Sequence, residues 1–119
     1  MLIGVPAETT AGETRVAVTP ETVKKLVTAG HTIRVQSGAG VAASVTDAAY
    51  IAAGAEITDV AGAFGADMVL KVRSPNDAEA ALMKPGTVVI GMLNPFDAAG
   101  LQRLATAGLT AFALEAAPR

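Results

Sequence analysis

The chain has 119 residues, of which 51% are hydrophobic and 17% charged, with a formal net charge of −2. Length and apolar content suit one packed domain, whereas recognition of nucleic acid would call for a clustered excess of Lys and Arg. Cysteine is absent and His31 is the sole histidine, so disulfides, thiolate nucleophiles and zinc–cysteine sites are excluded and no histidine cluster can hold a metal.

In chain order, Leu2–Val5 is a short apolar strand broken at Pro6. A helix follows: Thr19 is its N-cap, Pro20 lies in the first turn, Glu21 suits the positive end of the dipole, and Gly30 stops it. Val23, Leu26 and Val27 form its inner stripe. Lys24-Lys25 reads as a solvated helix face, and His31, just past the helix end, as a surface or capping residue. Thr32–Gln36 is the second strand, followed by the loop "SGAGVAAS" and a helix from Thr46-Asp47 through Ala53. A brief strand at Glu56–Ile57 and a small helix at Asp59–Phe64 precede the strand Asp67–Arg73. "NDAEAALM" is a helix, Thr87–Leu93 a near-continuous apolar strand, Asp97–Ala107 a helix closed by Gly108, and Leu109–Leu114 the last strand.

Strands alternating with helices predict an open, doubly wound α/β domain with a parallel sheet, flavodoxin-like in plan. No stretch reaches the roughly 18–20 apolar residues of a membrane span. The start of the chain lacks the basic and apolar regions of a signal peptide. A cytoplasmic location is expected. The sequence stops directly after a strand, without a helix to cover that edge, which makes a longer protein the expectation.

Ligands of open parallel sheets bind beyond the carboxyl ends of the strands. Applied here, that rule collects Arg15 in the first loop, Lys71 and Arg73 at the end of "MVLKVR", Asn94 in "MLNPFD", and Glu115 and Arg119 after the last strand. Side-chain alternation puts Lys71 and Arg73 on one face of their strand, where it emerges to water or an anion. Such a rim suits a carboxylate or phosphate, unless Glu13 and Glu115 simply pair with the arginines. "SGAGVAAS" lacks the third glycine and the later acidic residue of a dinucleotide fingerprint, so a turn is the better reading. No paired carboxylates or Ser/His/Asp set stand in a context for catalysis, and no residue is assigned a catalytic or metal-binding role.

"IGVPAETTAGETRVAVTPETVKKL", "SGAGVAASVTDAAYIAAGA", "LKVRSP" and "ALEAAPR" together resemble the N-terminal region shared by alanine dehydrogenases and the alpha subunit of proton-translocating NAD(P) transhydrogenase. The resemblance runs in register from Leu2 to Arg119, with Glu13–Pro20 its most specific part. It implies that residues 1–119 are the first domain of a two-domain NAD-binding unit whose Rossmann domain follows downstream. It further implies a homodimer, other transhydrogenase subunits with a membrane domain, and attachment to the inner membrane through that complex. NADP would be bound by another component.

Two positions separate the branches. Alanine dehydrogenases carry a second lysine in an L-K-V-K-E-P element and a histidine after the next strand, both in contact with the keto acid. The matching positions here are Arg73 and Asn94. Without that histidine, imine chemistry lacks its acid/base group, and arginine does not readily release a proton. "ALEAAPR" resembles the transhydrogenase pattern, in which Arg119 opens a loop over the nicotinamide. Arg15 matches the carboxylate-binding arginine of the dehydrogenases, and in a transhydrogenase it would serve structure or nicotinamide-side polarity. The resemblance thus implies a transhydrogenase with Arg15, Arg73, Asn94 and Arg119 toward NAD. The alternatives are an alanine dehydrogenase-like enzyme or a non-catalytic module that binds an anion or a partner.

Overall fold

The computed structural model describes residues 1–9, 12–73, 77–92 and 108–113. Its elements are β1 (Leu2–Val5), α1 (Pro20–Thr28), β2 (Thr32–Gln36), a 3₁₀ turn (Val41–Ala43), α2 (Asp47–Ala52), β3 (Glu56–Thr58), α3 (Val60–Phe64), β4 (Met68–Arg73), α4 (Asp77–Ala81), β5 (Val88–Met92) and β6 (Thr110–Ala113). The expected helix Asp97–Ala107 lies outside the described residues. Element types agree with the sequence reading elsewhere, with boundaries unchanged or moved by one or two residues and the 3₁₀ turn added inside "SGAGVAAS".

Helix starts follow from local chemistry. Thr19 Oγ1 accepts from the Thr22 amide at 3.2 Å, Thr46 Oγ1 from Ala49 at 3.2 Å, and Asp59 Oδ1 from Gly62 at 2.8 Å. Each satisfies an amide that the first turn would leave unpaired. At the far end of α1 the backbone amide of His31 donates to Leu26 O. That residue does cap the helix, but through its main chain. Its ring is half-buried rather than on the surface, with Nδ1 enclosed and unpartnered among the described residues.

The sheet has six strands in the order β3-β2-β1-β4-β5-β6, and every pairing is parallel. Without the three-residue edge strand β3, the other five follow the flavodoxin-like order. One buried cluster, including Ile3, Val5, Val23, Ile33, Val35 and Tyr50, is centred on β1 and β2. A second, including Phe64, Val69, Met83, Val89 and Leu109, is centred on β4 and β5.

Two glycines let backbone and rings approach closely. A Cβ at Gly4 would overlap the carbonyl oxygen of Ala63, so α3 lies directly on β1 there. A Cβ at Gly40 would stand 2.8 Å from the Tyr50 ring and from Val45 O. The second glycine of "SGAG" is therefore required by the buried Tyr50 ring, which accords with a turn rather than a phosphate cradle. Tyr50 Oη in turn donates to Val18 O at 2.8 Å, joining α2 to the segment that leads into α1.

Candidate functional site

Chain order along the sheet reverses at β1, which has β2 on one side and β4 on the other. The crevice at the carboxyl ends of two such strands is where open α/β sheets bind ligands. Among the described residues, β1 and β4 are paired at Ile3↔Met68 and Gly4↔Val69, and beyond those residues the Glu8 side chain links the two segments.

On its other edge β4 departs from regular pairing. Leu70 is opposite Ile90 but Arg73 is opposite Met92, so three residue steps on β4 match two on β5. The extra residue is a bulge, a device that re-aims side chains near functional sites. It also interrupts the alternation by which Lys71 and Arg73 were expected to share a face. The Val72 amide, within the bulge, donates to Glu8 Oε2 at 3.0 Å. Glu8, three residues past the end of β1, acts as a surrogate strand partner for β4.

Lys71 corrects a second expectation. It was placed where water or an anion would solvate it, yet only 3% of the residue is exposed. Its Nζ lies 3.2 Å from Glu8 Oε1 and 3.5 Å from Glu79 Oε2. A buried ammonium is tolerated only with such partners. The sequence reading also found no paired carboxylates in a suitable context, and the fold brings Glu8 and Glu79 onto the same cation. Glu8 comes from the β1 loop and Glu79 from α4. A lysine closing an apolar strand was the available signal that buried acids should be sought.

Arg15 stands at the crevice as expected, exposed, and gripped by a carboxylate two residues away. Its backbone amide and Nε both donate to Glu13 Oε2 at 2.9 Å, and Nη2 lies 2.9 Å from Glu13 Oε1. These hydrogen bonds first, then the Glu13 charge and more weakly that of Glu8, hold the guanidinium pKa above its ordinary value. The anticipated Glu13–Arg15 pairing is therefore present. Arg15, Val16, Ala17, Leu70, Lys71, Val72 and Ile90 line a cleft of about 350 Å³, within the usual size of small-molecule sites.

Of the other expected site residues, Arg73 ends β4 and its backbone is in register with Met92, while its side chain is outside the description. Asn94, Glu115 and Arg119 lie outside the described residues. Among the described residues no group of three His, Cys, Asp or Glu could hold a metal, and no helix is long and apolar enough to cross a membrane.

Residues 4–119 match the family described as alanine dehydrogenase/PNT, N-terminal domain. The chain belongs to this family. It is 40% identical over 122 residues to NAD(P) transhydrogenase subunit alpha of Cereibacter sphaeroides, covering 100% of this chain and 23% of that one. It is 43% identical over 96 residues to alanine dehydrogenase of Methanococcus maripaludis, covering 79% of this chain and 26% of the relative. Among solved structures, a transhydrogenase from Sinorhizobium meliloti superposes with a TM-score of 0.96 at 38% identity, covering 100% of this chain and 36% of that one. An L-alanine dehydrogenase gives 0.90 at 36% identity, covering 95% and 32%. The chain thus spans about a quarter to a third of the length of these relatives. The family resemblance and the α/β parallel sheet read from the sequence are both borne out.

Proposed function

We propose that this chain is part of the NAD(H)-binding component of a proton-translocating NAD(P) transhydrogenase, which passes hydride between NAD(H) and NADP(H). The observation that carries this reading is coverage. The transhydrogenase alpha relative corresponds to the whole chain, including its last residues, whereas the alanine dehydrogenase sequence corresponds to 79% of it. Arg73 and Asn94, where the dehydrogenases carry lysine and histidine, favour the same reading.

In this reading the cleft takes the nicotinamide end of NAD(H) rather than the pyrophosphate. Its walls of Val16, Ala17, Leu70, Val72 and Ile90, edged by Arg15 and Lys71, suit a flat, weakly polar ring such as nicotinamide. A pyrophosphate does not fit at the switch point, because the Val72 amide and the Lys71 ammonium are already bonded to the Glu8 carboxylate. We therefore assign the pyrophosphate to a Rossmann domain downstream of this chain, and NADP(H) to another component. In that arrangement NAD(H) supplies the hydride, and the rim, with Arg15, Arg73, Asn94 and Arg119, orients the nicotinamide. Orientation alone accounts for much of the acceleration when two reactants are held face to face. A homodimer, attached from the cytoplasm to the inner membrane through the complex, completes the reading.

The test is an assay of the full-length gene product with an NADP(H)-binding component. Hydride exchange between NADH and an NADP analogue supports the proposal. NADH oxidation that depends on pyruvate and ammonia would establish the dehydrogenase alternative instead. Micromolar NADH binding by residues 1–119 unaided would overturn the downstream placement of the pyrophosphate.

A further inference from the structure

Glu8, Lys71 and Glu79 come from three separate places around the crevice: the loop after β1, the bulge of β4, and α4. Residues 12–18, which bring Arg15, Val16 and Ala17 to the cleft, follow Glu8 on the same loop. Arg73 and the connection to α4 lie between Lys71 and Glu79. The three side chains are 1–10% exposed, so the contacts are made out of water, where a charged hydrogen bond is strong and a lost partner is costly. Glu8 touches backbone as well as charge, through the Val72 amide inside the bulge.

We propose that Glu8 is a positioning residue for the nicotinamide end of the cleft: by tying the β1 loop to the bulged end of β4, it fixes Arg15 relative to Leu70, Lys71 and Val72. This rests on the transhydrogenase reading above. Two clusters of cleft-lining residues reach the cavity separately, Arg15–Ala17 from the loop after strand β1 and Leu70–Val72 from strand β4. Pairing between those strands ends at Gly4↔Val69. Beyond that point, among the described residues, Glu8 links the β1 loop to β4 through both the Lys71 ammonium and the Val72 amide. If the dinucleotide's affinity resides mainly in another domain, loosening this link disturbs orientation rather than binding, and a displacement near 1 Å costs about a hundredfold in rate.

The experiment compares Glu8→Ala and Glu8→Gln in the full-length protein. Glutamine keeps an acceptor for the Val72 amide and leaves Lys71 balanced by Glu79. Alanine removes both links. The expected result for Glu8→Ala is a fall in kcat for NADH-to-NADP-analogue hydride exchange of at least tenfold, with the NADH KM within threefold. Glu8→Gln is expected to recover most of the rate. A readout independent of activity is amide hydrogen exchange, which in Glu8→Ala accelerates at Val72 and across residues 12–18 while β2 is unaffected. Combining Glu8→Ala with Arg15→Ala should cost no more than about twofold beyond Arg15→Ala. Unchanged kcat per folded molecule, additive double-variant losses, or exchange that rises uniformly over the sheet would each overturn the inference. Absence of hydride exchange in the unmodified protein would instead overturn the transhydrogenase reading on which it rests.

Discussion

Replacing Lys71 by methionine isolates what the buried ion cluster contributes to stability. The side chain keeps its length and loses its charge, so that Glu8 and Glu79 both lose the Lys71 ammonium. The Lys71 and Glu8 side chains are 1% and 2% exposed, so solvent screening is slight and the relevant precedent is a broken buried pair. Such losses run at about 3–5 kcal/mol when a buried pair loses one of its charges. With a urea m-value of about 2 kcal/mol/M, the unfolding midpoint falls by roughly 2 M. Arg34→Ala, which breaks a 3.3 Å pair to Glu56 with side chains 39% and 61% exposed, provides the reference. It should cost less than about 1 kcal/mol. The triple variant Lys71→Met/Glu8→Gln/Glu79→Gln should regain much of the loss, since it buries none of the three charges. Equal, small losses for Lys71→Met and Arg34→Ala in urea unfolding would refute the reasoning, because Lys71 would then be solvated.

Gly4→Ala forces a methyl group against the Ala63 carbonyl, and overpacking of that kind costs about 1–3 kcal/mol or more, read as a lower urea midpoint. Tyr50→Phe removes the 2.8 Å hydrogen bond to Val18 O, an acceptor on a residue that is 2% exposed. The expected loss is about 1–3 kcal/mol, and a change within experimental error would mean that water replaces the hydroxyl. Asp47 is held below the ordinary carboxylate pKa, first by the Gly38 amide and then by the Ser37 hydroxyl. A depressed folded-state pKa gives stability that is present above the unfolded value, about 3.9, and lost as pH falls through the folded value. Asp47→Asn should accordingly flatten the stability–pH curve below about pH 4, and NMR titration should find the Asp47 carboxyl below the usual range.

What could be read from the sequence is what local chemistry determines. Thr19, Thr46 and Asp59 cap their helices because each cap involves residues three apart in the chain. Apolar runs separated by helix-period segments were enough for a parallel sheet, and the strand-end rule brought Arg15 and Lys71 to the same cleft. The Glu13–Arg15 pair was also legible, being a contact across two residues. The partners of Lys71 were not, because Glu8 is 63 positions away and reaches it only after β1 and β4 have been brought side by side. Nor does "VLKVR" carry a local mark of its bulge, which exists only relative to β5. Gly4 looked like one more residue of an apolar strand, and its need for the absence of a Cβ comes from α3 crossing it.

The same distinction bears on how one domain can resemble two kinds of enzyme. The features that build the crevice are a strand reversal, a bulge and a buried carboxylate that joins the split strands, and none of them is specific to a reaction. Superpositions of 0.96 on a transhydrogenase and 0.90 on an alanine dehydrogenase fit that view, since a common scaffold can be retained while the rim chemistry changes. Specificity would then rest on the side chains that the scaffold presents, with positions 73 and 94 foremost. Glu8 belongs to the scaffold. We propose that substituting it impairs whichever reaction the full-length protein performs, whereas substituting Arg73 or Asn94 changes which substrate it accepts.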